Sequence, residues 1–245
     1  AEFGAEADDP LGRFWARERR TAFEFGSLVR ADLVRVSDIL AQRAPRTSPM
    51  AALIALLEQG DVPVSWRRGS SVPLGSTLRA WLDDLCARVH HATLPIHERV
   101  ELGQLWSPSA YLTAARQMTT RETHASLEQL ELHWVLDSGS APPHSLKDAA
   151  WWPIGSLWLD GGVWKDGCLH LNDGASTSVS HNALLWTCRK EADSPPQSSE
   201  PFPQLSVPVF LDAQRQHFLC HAHIPIAKDA SMELAVLHAV AIRLT

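Results

Sequence analysis

Hydrophobic residues recur at steps of three and four in the first half of this chain and at steps of two in much of the second half. Steps of three and four place side chains on one face of a helix, whereas steps of two place them on one face of a strand. The pattern therefore predicts a helical half followed by a strand-rich half.

Two helices are predicted before residue 60. The first runs from Leu11 to about Gln42 and has a narrow hydrophobic seam suited to a partner helix. The seam consists of Val29, Leu33, Val36 and Leu40. The second runs from Ser48 to Gln59, and Gly60 follows where a left-handed C-terminal cap is favoured.

Two further helices are predicted before residue 125. Ser76 or Thr77 is placed to cap the first, and its apolar positions again follow helical steps. They are Leu78, Trp81, Leu82, Leu85 and Val89. Ser107 is placed to cap the second, which begins near Pro108. A short helix is also expected from His97 to Glu101.

Several strands are predicted from Leu127 onward. In the first, Leu130 to Leu136, leucines and Trp134 alternate with polar residues such as His133, which predicts one face toward water. Asp166-Gly167 predicts a tight hairpin. Further strands are predicted at Gly155–Asp160, Ala183–Cys188, Leu205–Leu211, His217–Ile224 and Val240–Leu244, with a mobile loop at Lys190–Gln204 and a helical turn at Ser231–His238.

These elements predict an α+β fold, with an N-terminal helical half followed by an incomplete, mostly antiparallel β-barrel of about six strands. The predicted divisions are a helical subdomain at residues 10–125 and a barrel subdomain at residues 126–245. Residues 1–9 have no hydrophobic period, and we interpret them as a fragment edge.

The composition disfavours several classes of function. A net charge of -6 and a pI near 6.0 argue against a dedicated nucleic-acid binder, which needs a dense basic face. The sequence has no apolar run long enough for a membrane span and no secretory signal, which indicates a cytosolic protein. The four cysteines have no close pair, so we expect reduced, buried thiols and no zinc ribbon.

The strongest candidate for chemistry is a group of three histidines on one predicted strand, His217, His221 and His223. A His-x-His pair inside a barrel can hold a metal in cupin-like enzymes, but the expected carboxylate and further histidine are missing nearby. We therefore favour a structural or surface role and predict no metal or cofactor. No phosphate-binding loop or Gly-x-Ser-x-Gly motif is present.

Ten tryptophans are many for this length. Trp81 and Trp134 lie on predicted apolar faces and are expected in the core. The others singled out lie at element ends or opposite the leucines, and they are Trp66, Trp106, Trp151, Trp152, Trp158 and Trp164. Such positions suit either a contact surface or a second core layer.

One long pattern resembles a known family. Its residues are Pro63, Ser65, Trp66, Val72-Pro73, Gly75, Thr77, Trp81, Asp84, Arg88, Leu102-Gly103, Leu105, Pro108, Ala110-Tyr111, Thr113-Ala114 and Arg116-Gln117. In order, spacing and residue type this pattern is similar to the C-terminal domain of dynein heavy chains, the cytoplasmic class most closely. The likeness continues through LSVPVFLDAQR and the closing VAIRL.

The resemblance implies a domain without catalysis of its own, in a heavy chain that is a microtubule-stimulated motor ATPase. Its expected partners are the AAA+ ring modules of the same heavy chain, with microtubules reached only through the rest of the motor. Neither nucleic acid nor membrane is an expected partner, and the expected location is the cytoplasm, associated with the cytoskeleton. The candidate ring-contact or family-signature residues are Arg13, Arg17, Arg20, Trp66, Arg67, Tyr111, Arg116 and Gln117.

Two alternatives remain at this level. A stand-alone β module could bind protein or carbohydrate through its tryptophans. A cupin-like enzyme would hold a metal through His221 and His223.

Overall fold

A computed structural model describes residues 9–67, 77–94, 99–136, 150–165, 167–171, 179–189, 204–227 and 232–244. The helices of these residues are Pro10–Leu40 (α1), Ser48–Glu58 (α2), Val64–Arg67 (α3), Leu78–Thr93 (α4), Pro108–Thr123 (α5) and Met232–Leu237 (α6). Apart from the short helix expected at His97–Glu101, of which residues 97 and 98 lie outside the described residues, the helices predicted from the sequence correspond to α1, α2, α4, α5 and α6. Among the described residues, none of the helices combines the length and hydrophobicity needed to span a membrane.

The strands follow the helical half, apart from a short one between α4 and α5. They are Val100–Glu101 (β1), Leu130–Leu136 (β2), Ala150–Asp160 (β3), Gly162–Lys165 (β4), Cys168–Leu171 (β5), Val179–Arg189 (β6), Gln204–Phe210 (β7), Phe218–Pro225 (β8) and Ala241–Arg243 (β9). The main sheet has the order β2-β6-β3-β9-β7-β8, with β1 also beside β3, and it curls into an open half-barrel. The predicted α+β fold with an incomplete barrel is confirmed.

The sheet is mixed rather than purely antiparallel. Strand β1 pairs with β3 in parallel, and β9 lies between β3 and β7, antiparallel to the first and parallel to the second. Strands β4 and β5 form the separate hairpin predicted around Asp166-Gly167, although residue 166 lies outside the described residues. Most of the predicted loop, residues 190–203, also lies outside them.

Three local predictions about segments of the sheet were wrong. Val100–Glu101 forms a strand and not the end of a short helix, because its backbone pairs with β3. Strand β3 begins at Ala150 and not at the predicted Gly155, since it pairs with β6 from Ala150 onward. His133 was expected to face water but is buried, with its ring 5.6 Å from that of His223 on β8.

The described residues group into two compact units. The helical unit contains residues 15–94 and 104–106, and the sheet unit contains the other described residues. Helix α5 belongs to the sheet unit because it packs against β2, β3 and β6. The domain boundary predicted between residues 125 and 126 stays a prediction. It groups α5 with the helical subdomain, whereas the compact units group α5 with the sheet.

The helical unit is built around two stacked tryptophans. The rings of Trp66 and Trp81 lie 5.6 Å apart at an angle of 22°. The rest of this core consists of Val29, Leu53, Val62 and Leu85. Among the expected α4 caps, Thr77 accepts a hydrogen bond from the Ala80 N–H at 3.3 Å, whereas Ser76 lies outside the described residues.

Helix α2 ends as its sequence predicts. Gly60 has a φ of +76°, and its N–H donates to the Leu57 carbonyl at 3.0 Å. The next N–H, of Asp61, donates to the Leu56 carbonyl at 2.9 Å. These two bonds satisfy carbonyls that the end of the helix would otherwise leave unpaired. By contrast, the hydroxyl of Ser107, the residue before α5, makes no capping hydrogen bond, so that predicted cap was wrong.

In the sheet unit, the last strand is held by close backbone contacts. A Cβ added at Gly103 would lie 2.4 Å from the Leu244 carbonyl oxygen, and one added at Gly161 would lie 2.3 Å from the His238 carbonyl oxygen. Side chains are excluded at both glycines by these approaches. The backbone just before β9 therefore packs closely on Gly161, and the backbone just after it packs closely on Gly103.

Candidate functional site

The predicted contact residues on α1 are exposed. Arg13, Arg17 and Arg20 follow helical steps of four and three and all reach solvent. On the inner side of the same turns, Trp15 and Glu18 are buried. The side chains of these arginines therefore lie at the surface of α1.

Neighbouring polar residues on α1 have structural roles. Within the helical unit, the Glu18 carboxylate accepts a hydrogen bond from the Trp106 N–H at 2.9 Å. The Arg19 Nε donates to the Ala92 carbonyl at 3.2 Å, in the last turn of α4. Arginine near a helix C-terminus compensates carbonyls that lack a partner in the helix.

Trp66 is a core residue, contrary to the hypothesis that it offers a contact surface. Its side chain is fully buried at 0% exposure, and its Nε1 donates to the Asp32 carboxylate at 2.9 Å. Arg67 follows it and is exposed, with its Nε donating to the Val62 carbonyl at 3.0 Å. Of this pair, only Arg67 can meet a partner through its side chain while the core stays intact.

The three candidates on α5 lie in the sheet unit. Tyr111 is buried, its ring lies 5.5 Å from that of Phe14, and burial raises the pKa of its hydroxyl. Arg116 donates from Nη2 to the carbonyls of Leu127 at 2.6 Å and Leu130 at 3.1 Å, which ties α5 to the start of β2. Gln117 is half-buried. Tyr111 and Arg116 thus stabilise the unit from within.

The three histidines of the predicted cluster have three different neighbours. The Nδ1 of His217 lies 2.8 Å from the Asp212 carboxylate, before β8 begins. The His221 ring lies 5.0 Å from Phe218, and the His223 ring faces His133. Val209 pairs with Cys220, but the next residue, Phe210, pairs with Phe218. Because of this shift, the side chains of β8 do not alternate regularly, as the prediction had assumed.

The described residues offer little for metal binding or thiol chemistry. Among them, no group of three or more His, Cys, Asp or Glu side chains could hold a metal ion. Cys168 is buried as expected, whereas Cys86 is exposed because it lies on the outer side of α4. Burial raises the pKa of the Cys220 thiol to about 12, which disfavours its reactive thiolate form.

An ionic cluster in the sheet unit was missed at the sequence level. The buried Asp160 carboxylate, at the end of β3, accepts from Arg215 Nη2 at 3.2 Å and from Arg243 Nε at 3.2 Å. Arg215 also donates to the Ala239 carbonyl at 2.9 Å. The Arg243 guanidinium lies 5.2 Å from the centroid of the Trp158 ring. No local motif marks this cluster because its members are 55 and 83 positions apart.

Comparison with known proteins identifies relatives of the whole chain. A family model for the C-terminal domain of the dynein heavy chain matches residues 2–244. A "Dynein heavy chain, cytoplasmic" of Dictyostelium discoideum is 29% identical over 232 residues, which is 92% of this chain and 5% of that relative. A protein with the same description from Caenorhabditis elegans is 35% identical over 131 residues, 51% of this chain and 3% of the relative.

The match extends to a second dynein class. A "Cytoplasmic dynein 2 heavy chain 1" of Tripneustes gratilla is 25% identical over 234 residues, 88% of this chain and 5% of the relative. The chain therefore spans only 3–5% of the length of these three relatives.

Proposed function

Because the chain belongs to the family of C-terminal domains of dynein heavy chains, we propose that it packs on the AAA+ ring modules of the same heavy chain and modulates motor force and processivity along microtubules. The observation that carries this proposal is the match of the family model to residues 2–244. In this function the chain has no catalytic centre or cofactor of its own, and it reaches microtubules only through the rest of the motor. Its location is the cytoplasm, in association with the cytoskeleton.

The proposed effect is an energetic bias on the ring. A contact that is stronger in one ring conformation than in another shifts their populations by the difference in contact free energy. Couplings of this kind are typically about 1–3 kcal/mol, which corresponds to a roughly 5- to 150-fold shift. A domain that only touches the ring can therefore alter its mechanical cycle.

Arg17 and Arg20 are the residues best placed to make such a contact. Both are exposed on α1 in the helical unit, and exposed charges govern the rate and specificity of association. Arg67 is a third exposed candidate within this unit. Trp66 and Tyr111 are excluded as contact side chains by their burial, so truncating either would test folding rather than ring contact.

The test is a pair of charge reversals in a heavy chain that contains this chain. We expect Arg17→Glu with Arg20→Glu to shorten processive runs and lower stall force, because two positive charges of the proposed ring contact are reversed. Arg79→Glu is the matched control, since Arg79 is an arginine of the same unit with 92% of its side chain exposed. Single-molecule run length and stall force are the measurements.

Two outcomes would contradict the proposal. Unchanged run length and stall force in a correctly folded double variant would show that these two arginines do not contribute to the proposed ring contact. Nucleotide turnover that persists after every ring ATPase site has been inactivated would contradict a role without catalysis.

A further inference from the structure

The last turns of α1 carry an apolar stripe that is exposed along its whole length. The stripe consists of Leu33, Val34, Ser37, Leu40 and Ala41. The exposed fractions are 39% for Leu33, 50% for Val34 and 68% for Leu40. Val36, on the inner side of the same turns, packs against the core of the helical unit.

The stripe has the shape of a helix-packing surface. Its members are one, three or four residues apart, so they line one face of the helix. The Ala41 N–H donates to the Ser37 carbonyl at 2.9 Å, which continues the helical geometry to the end of the stripe. Small residues at Ser37 and Ala41 lie among larger ones, and such an alternation lets the ridges of a second helix settle into the grooves of the first.

The charges bordering the stripe are basic. Arg30 is exposed one turn before Leu33, and Arg43 and Arg46 are exposed just beyond Ala41. Asp38 lies in the same turns, but its carboxylate is 2.9 Å from the Arg43 guanidinium. This pair is close to neutral as a whole, so the basic character of the border rests on Arg30 and Arg46. A partner with acidic residues at both ends of its apolar face would complement these arginines.

A second copy of the same stripe is a poor partner. In a symmetric pair, each copy offers the same surface to the other. Two antiparallel stripes would then bring Arg30 of one copy toward Arg46 of the other, and like charges in contact are unfavourable.

We propose that the stripe is a docking surface for an amphipathic helix with acidic border residues, supplied by a neighbouring module of the heavy chain. This proposal rests on the proposed function for the source of the partner. It adds a surface farther along α1 than Arg17 and Arg20, and it specifies the chemistry of what binds there.

The test places a photo-crosslinking amino acid in a heavy chain that contains this chain. The probe replaces Leu33 or Leu40 in the stripe. Matched controls place it at Ala31 or Arg35, which are exposed in the same turns but lie on another face of α1. We expect the stripe positions to crosslink to one segment with helical hydrophobic spacing and acidic borders, in at least several-fold higher yield than the controls.

Charge reversal provides a second readout. We expect Arg30→Glu combined with Arg46→Glu to lower the crosslinking yield from position 40 several-fold, and added salt to lower the original yield in the same direction. Equal yields from stripe and control positions would overturn the proposal, as would crosslinks that join two copies of this chain. The proposed function fails separately, if no probe in the chain, including probes at Arg17 and Arg20, crosslinks to a ring module.

Discussion

At the scale of single residues, the two central tryptophans show what sequence pattern can and cannot establish. Trp81 lies on a helix long enough to show a period, so its burial could be predicted. Trp66 lies on α3, which has only four residues and therefore no visible period. Its burial depends on Asp32 and Trp81, which come from other helices, and sequence spacing does not reveal such partners.

This packing leads to a prediction about stability. We expect Trp66→Ala to lower the free energy of unfolding by about 3–5 kcal/mol, because it empties a fully buried site. We expect Asp32→Ala to cost about 1.5–3 kcal/mol, because the buried Trp66 N–H loses a charged acceptor. Urea unfolding measures both. In the Trp66→Phe background, Asp32→Ala should cost much less, and an equal cost would show that the hydrogen bond is unimportant.

At the scale of elements, periodicity showed which residues of α1 share one face of the helix. It did not show how much of that face the rest of the helical unit covers. The predicted seam is correct at Val29, which is buried, and at Val36, which packs against the core. Its other two members, Leu33 and Leu40, are exposed, so for them the predicted partner helix stays a prediction. Spacing alone could not separate the buried members of the seam from the exposed ones, because the two leucines follow the same helical steps as the two valines.

The turn between β7 and β8 supports a prediction about pH. Burial alone would raise the pKa of Asp212, but hydrogen bonds from the Gln216 N–H, the His217 ring and the His217 N–H hold it below its ordinary value. The folded state therefore favours the carboxylate. Its contribution to stability is present above the pKa of the unfolded chain and is lost as pH falls through the lowered pKa.

We accordingly expect Asp212→Asn to lower the free energy of unfolding by about 1–3 kcal/mol at pH 7. The difference from the unaltered chain should shrink as the pH is lowered toward 3. Chemical denaturation across this range measures it. Asp83→Asn is the control, because 74% of the Asp83 side chain is exposed. A pH-independent difference for Asp212→Asn would show that the charge of this carboxylate does not hold the turn.

At the scale of the whole molecule, the sequence indicated the fold class but not the strand order. Alternating residues show that a segment is a strand, whereas the choice of its neighbour depends on contacts between distant parts of the chain. Strand β9 lies between β3 and β7, so the last residues of the chain join strands that are far apart in the sequence. The close approach of the backbone beside β9 to Gly103 and Gly161 likewise depends on the tertiary structure and has no signal in the sequence.

The Asp160 carboxylate binds Arg215 in the β7–β8 turn and Arg243 in β9. Replacing Asp160 therefore tests whether this turn and this strand are stabilised together. We expect Asp160→Asn to cost about 3 kcal/mol, the lower end of the range for a broken buried pair, since 32% of the Arg215 side chain is exposed. Hydrogen exchange should then accelerate together in β9 and in residues 211–217. Arg243→Gln is the comparison, since it leaves the Arg215 bond in place and should affect mainly β9. If Asp160→Asn loosened β9 alone, the carboxylate would be a local partner of Arg243 and not a link between the two segments.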